Sequence, residues 1–136
     1  MTYRLDRLLE LRRQAVMARA RELSDAERAE DALREKLEAM DAARTAAQQR
    51  TPRTAGDAVK TRHYTERLAG ERAQQADAVR AAAAATRAAR KALAEARADC
   101  DALERHREHA VASERLRRGR REASEADDLA GRSRKK

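Results

Sequence analysis

Aromatic residues are almost absent from this chain: there is no tryptophan, no phenylalanine and only two tyrosines among 136 residues. Most of the 41% hydrophobic share is alanine, which buries little area, so the chain cannot fill a thick core. Proline and glycine are also scarce, at one and four residues; a disordered chain would carry many more. Long helices sharing a narrow seam remain, and a composition dominated by Ala, Arg, Glu, Leu and Lys fits them. Cys100 is the only cysteine, which excludes an intramolecular disulfide. The longest apolar run is Ala81–Ala85, far short of the roughly 20 residues that cross a bilayer. Met1–Asp6 holds no apolar core of a secretory leader. A cytoplasmic protein is expected.

Charge is abundant, at 41% of residues with a net +8. It is uneven: residues 1–49 balance ten basic against ten acidic, whereas residues 50–97 hold eleven basic and five acidic. Residues 101–136 hold eleven basic and eight acidic. A basic surface attracts nucleic acid, anionic membrane or an acidic protein. The preference for Arg over Lys fits a GC-rich genome without any functional cause.

Residues 3–49 contain neither proline nor glycine. Leu5, Leu9, Val16, Leu23, Ala26, Leu33, Leu37, Met40 and Ala47 recur at steps of three, four or seven, a coiled-coil stripe on one helical face. Arg12, Arg19, Glu30 and Arg44 interrupt it, so the seam is imperfect. Glu30 and Arg34 form an i,i+4 pair that favours helix. Ser24-Asp25-Ala26-Glu27 matches a capping box, but the stripe passes through it in phase, and one continuous helix over 2–49 is expected. The break comes at 50–57, where Pro52 disfavours helix at Thr51, Gly56 permits a tight turn and Asp57 can cap the next helix.

A second helix is expected over 58–128, with Val79, Ala82, Thr86, Ala89, Leu93, Ala96, Cys100, Leu103 and Ala110 on its stripe. Its small residues allow close approach. Gly70 and Gly119 weaken it by about 1 kcal/mol each relative to Ala, and Gly119 is the expected bend or fray point. Residues 129–136 read as a disordered basic tail. The fold class is therefore all-α: a long antiparallel two-helix coiled-coil hairpin, a single domain over 1–136, with an overhanging C-terminal helix. At 1.5 Å per residue the helices span ~70 and ~105 Å. Folding at 50–57 sets position 40 opposite about 66 and position 5 opposite about 101. The remainder overhangs, and an isolated overhang is marginal unless a partner holds it.

The sequence holds no phosphate-binding loop, no Gly-x-Ser-x-Gly and no His-Glu-x-x-His. His106 and His109 lie one helical turn apart near Cys100, but Cys100 falls on the seam as a small apolar residue, and no further strong ligand set accompanies them. No metal, cofactor or catalytic site is expected, since a bare hairpin has no pocket to exclude water. Two surfaces stand out instead. One is the run of five arginines, Arg115, Arg117, Arg118, Arg120 and Arg121, around Leu116. It reads as a solvated face, a site for an acidic protein surface, or a nucleic-acid contact; acidic neighbours and the lack of aromatics count against nucleic acid. The other is Tyr64 with Leu68, an i,i+4 pair near the turn, which either packs locally against Leu37 and Met40 or forms an apolar contact patch.

The opening Tyr3-Arg4-Leu5-Asp6-Arg7-Leu8-Leu9-Glu10-Leu11-Arg12 resembles the start of the flagellar FliJ family. So does the later part, where Leu93-Ala94-Glu95-Ala96 leads into Leu103-Glu104-Arg105-His106-Arg107-Glu108 and then Ala126-Asp127-Asp128-Leu129-Ala130. Asp128 stands where the family usually has Glu, and arginines stand where it usually has lysines. The spacing of Tyr64 and Leu68 also resembles the start of the family's second helix. The resemblance implies a non-enzymatic cytoplasmic component of the type III export apparatus, similar to the central stalk of rotary ATPases and peripheral at the inner membrane. It implies three partners: a hexameric export ATPase, an export-gate membrane protein and export chaperones. The paired terminal ends would contact the ATPase through Leu5, Leu8, Leu116 and the five arginines, and Tyr64 with Leu68 would face the gate. The stalk proteins of virulence injectisomes share the architecture. An Arg-rich nucleic-acid-binding hairpin and an unrelated structural coiled coil are the competing readings, and the imperfect seam also leaves room for self-association.

Overall fold

A computed structural model describes residues 4–135. Two helices account for nearly all of them: α1, Asp6–Gln49, and α2, Ala55–Arg134. The fold is an all-α two-helix hairpin with no strand among the described residues. The chain divides into two compact units, one of Met1–Met17 with Glu95–Lys136 and the other of Ala18–Ala94.

α1 begins with a Leu9 amide donating to the Leu5 carbonyl at 2.9 Å, and Asp6 lies in its first turn, where a carboxylate meets the positive end of the helix dipole. The helix runs through Ser24 without interruption, because a capping box loses to a seam that stays in phase. The first residues of the expected helix, Thr2 and Tyr3, lie outside the described residues.

The start of α2 differs from expectation. Thr54, not Asp57, is its cap: the Asp57 amide donates to Thr54 Oγ1 at 3.1 Å and the Ala58 amide to the Thr54 carbonyl at 3.1 Å. A hydroxyl three residues upstream reaches an orphan amide, which leaves Asp57 inside the first turn, favourable to the dipole. Gly56 has no left-handed backbone conformation and lies within the helix. At the other end, the expected disordered tail is helical to Arg134. Arg132 and Arg134 occupy the last turn, where cations meet the negative end of the dipole. Gly119 also lies within α2, with no positive φ.

In the unit of Ala18–Ala94 the helices run antiparallel, as paired positions show: Arg72 meets Asp41, and Arg90 meets Glu27 at 3.4 Å. Its buried residues are Ala47, Leu68 and Leu93 together with the polar Glu30, Gln75 and Thr86. Each polar group is satisfied. The Gln75 amide donates to the Leu33 carbonyl of α1 at 2.9 Å, the Thr86 hydroxyl donates back to the Ala82 carbonyl at 3.1 Å, and Glu30 holds Arg34 at 2.6 Å. No buried side-chain polar atom among the described residues lacks a partner.

In the unit of Met1–Met17 with Glu95–Lys136 the helices are again antiparallel. Arg12 meets Asp99 at 3.7 Å, Arg13 meets Glu104 at 3.1 Å and Arg107 meets Asp6 at 2.9 Å. Leu9 and Cys100 are buried here. Asp6 faces Arg107, so the register lies several residues later than folding at 50–57 implied for position 5. The cause is in the first turns of α2, where residues 55–60 are all exposed: the seam starts at Thr61, not at the turn. From Val111 to Lys135 every residue but Glu114 is exposed, so α2 outruns α1 by about 36 Å at 1.5 Å per residue.

Candidate protein-interaction surfaces

The first surface is built where α1 starts and α2 ends. Leu9 and Leu8 are neighbours in sequence but 100° apart around the helix. Leu9 is therefore sealed into the seam, while Leu8 lies on the exposed flank and Leu5 is half-buried. On α2, Arg115, Arg117, Arg118, Arg120 and Arg121 are all exposed, and Leu116 among them keeps 64% of its surface open. Arg117 reaches Glu114 at 3.9 Å, a solvent-screened contact worth little. The structure thus places Leu5, Leu8, the arginines and Leu116 in one compact unit, and all but Leu5 are exposed. Leu11, Met17, Val111 and Leu129 are exposed in the same unit. Of the eight large hydrophobics exposed among the described residues, six fall here; only Val59 and Tyr64 fall in the other unit. Sequence reading passed over Leu11 and Met17 because it followed the stripe rather than what lay beside it.

The second surface, Tyr64 with Leu68, divides. Leu68 is 7% exposed and belongs to the seam, whereas Tyr64 is 39% exposed with the Arg67 guanidinium over its ring at 5.7 Å. The pair therefore does not form one apolar patch: only the tyrosine, with its stacked cation, faces outward.

Cys100 is buried, and its thiol lies 3.9 Å from Glu104 Oε1. Burial pushes the thiol pKa up, and the Glu104 charge adds to this. The thiolate needed for nucleophilic chemistry is thereby disfavoured. No group of three His, Cys, Asp or Glu among the described residues is placed to hold a metal ion. A polar groove in the unit of Ala18–Ala94 is lined by Glu27, Glu30, Asp31 and Arg34 from α1 and by Ala83, Thr86, Arg87 and Arg90 from α2. Three carboxylates and three guanidiniums line it, so it offers no single-sign field to a small ion. Among the described residues no helix is long and apolar enough to cross a membrane.

No curated protein and no solved structure matches the chain. The family described as "Flagellar FliJ protein" matches residues 1–135, and the chain belongs to it, a family of non-catalytic components of the flagellar export apparatus.

Proposed function

We propose that this protein is the central stalk of the flagellar type III export apparatus, entering the pore of the hexameric export ATPase with the end formed by the start of α1 and the extension of α2. The observation that carries the reading is the concentration of exposed large hydrophobics in that unit, Leu8, Leu11, Met17, Val111, Leu116 and Leu129, which also holds the five exposed arginines. Clustered exposed apolar side chains mark interaction surfaces, and methionine and arginine are enriched at protein interfaces. Leu5, Leu8, Arg115, Leu116, Arg117, Arg118, Arg120 and Arg121 would make the ATPase contacts. A two-helix stalk has no sixfold symmetry, so it touches six equal subunits unequally and biases their nucleotide sites through differential contacts, which is a coupling free energy. The stalk itself needs no catalytic group for this.

Tyr64 would contact the membrane export gate, with Leu68 fixing the helix face that presents it. Export chaperones are further partners, and the protein would work on the cytoplasmic side of the inner membrane. Deleting residues 112–136 removes the extension and should abolish stimulation of the cognate ATPase; a truncated protein that stimulates as well as the full chain overturns the assignment. Tyr64→Ala should weaken gate binding in a pull-down without changing helicity by circular dichroism. Unchanged gate binding removes Tyr64 from the interface.

A further inference from the structure

The seam of the unit Ala18–Ala94 is poor in shape information. Its rows set Leu23, Leu33, Leu37 and Met40 of α1 against Ala82, Thr86 and Ala89 of α2, and its buried residues include Glu30, Gln75 and Thr86. Leucine-like residues repeated at heptad spacing against a row of small ones still meet similar partners when one helix slides by a heptad, because the same rows face each other. Polar groups discriminate better, since a misplaced one loses its partner. The cross-helix polar contacts here are few: Arg72 with Asp41, Arg90 with Glu27, and the Gln75 amide on the Leu33 carbonyl.

A slide of seven residues has a specific consequence. In one direction Arg72 leaves Asp41 and comes level with Arg34; in the other, Arg90 leaves Glu27 and comes level with the same Arg34. Glu30, one turn before it, holds Arg34 at 2.6 Å. Both one-heptad slips therefore exchange an ion pair for two facing guanidiniums. The tighter slip needs no unwinding at the turn, because residues 55–60 are exposed and unpaired with α1 in the observed register.

We infer that Arg34, positioned by Glu30, is a register guard of this unit: it bars slippage of the two helices here in both directions while Asp41 and Glu27 reward the observed alignment. The guard is a positioning device set by charge rather than by apolar packing.

The test measures register directly in the full chain. Ala20 and Ala73 are exposed and serve as spin-label sites when replaced by cysteine in a Cys100→Ala background. The tighter one-heptad slip shortens their separation by about 10 Å at 1.5 Å per residue, which pulsed electron resonance resolves. With Arg34 present a single distance is expected. The exchange variant Arg34→Asp with Asp41→Arg moves the partner of Arg72 by one heptad and should transfer the population to the shorter distance. Arg34→Glu alone should give both distances. Arg34→Lys, which keeps the charge, should give only the original. If Arg34→Glu and the exchange variant both keep the original single distance while circular dichroism shows intact helices, charge does not set the register and the inference falls. The single variant serves if the exchange fails to fold, because Arg34 is 55% exposed and its removal leaves no buried cavity.

Discussion

Replacing Glu30 by leucine isolates the balance between desolvation and pairing in the seam. The Glu30 side chain is only 10% exposed, and its ion-pair partner, Arg34, lies on the same helix with most of its surface in solvent. An i,i+4 pair of that kind contributes about 0.3–0.5 kcal/mol. Leucine has nearly the same helix propensity as glutamate, so the backbone term cancels. It trades a carboxylate for apolar carbon on a position already sealed from water, and each further buried carbon group is worth ~0.8 kcal/mol. Release of the carboxylate from its desolvated site adds a comparable amount. Arg34 returns to solvent and leaves no buried charge behind. The sum favours the variant by about 1–2 kcal/mol. Urea denaturation followed by circular dichroism should show a higher midpoint with an unchanged slope, since the exposed area on unfolding barely alters. A midpoint lowered by the equivalent of 1 kcal/mol or more would refute the reasoning: the carboxylate would then be held by the arginines of the neighbouring groove more strongly than desolvation opposes it.

Three further outcomes follow from the same geometry. Gly119→Ala should stabilise the extension by about 1 kcal/mol and raise helicity, since a Cβ there meets nothing within 4 Å and the backbone has no positive φ; helicity that stays flat or falls would show a bend that α2 needs. Thr54→Ala removes the hydroxyl that accepts from the Asp57 amide and should cost about 1 kcal/mol by thermal melting, with Thr54→Ser largely restoring it. The hydrogen bond from Arg72 holds the Asp41 carboxyl below its ordinary value, with the Arg72 and Arg44 charges adding to it and desolvation opposing. A depressed carboxylate stabilises above the unfolded pKa and loses that contribution as pH falls through its folded value. The acid loss of stability should therefore begin below about pH 4 and be shallower in Asp41→Asn; identical acid profiles for the two proteins would exclude the pair as a contributor.

Some of this architecture is written openly in the chain. The rows Leu9, Val16, Leu23 and Leu37, and Leu33, Met40 and Ala47, follow directly from heptad spacing, and each of these residues is buried or half-buried. Leu93, Cys100 and Leu103 behave the same way on α2. Other features are hidden for physical reasons. Glu30 reads as an interruption because a carboxylate is normally solvated, yet its aliphatic stem fits the seam while Arg34 takes its charge. Gln75 reads as surface, yet its amide finds a backbone carbonyl across the interface. The register is hidden because the turn fixes where the helices are joined, not where they first touch. The cap is hidden because Thr54 and Asp57 carry equal capping chemistry, and only the chain path decides which oxygen meets an orphan amide.

The limits of the seam also explain why the candidate surface lies where it does. The two seam rows of α2 are apolar or small at Leu93, Ala96, Cys100, Leu103 and Ala110, with Arg107 the first charge on them; continued at the same period, they become Glu114, Arg117, Arg121, Ser124 and Asp128. Beyond Ala110 these rows therefore offer α1 little apolar surface to bury. Leu116 and Leu129, at 64% and 65% exposure, stand off those rows. Their apolar area faces a direction that α1 never occupied, and only a separate surface can remove it from water. The arginines beside Leu116 make such a surface an acidic or amphipathic one in preference to a purely apolar one. The internal seam thus gives out and the candidate interface begins in the same stretch of α2, after Ala110.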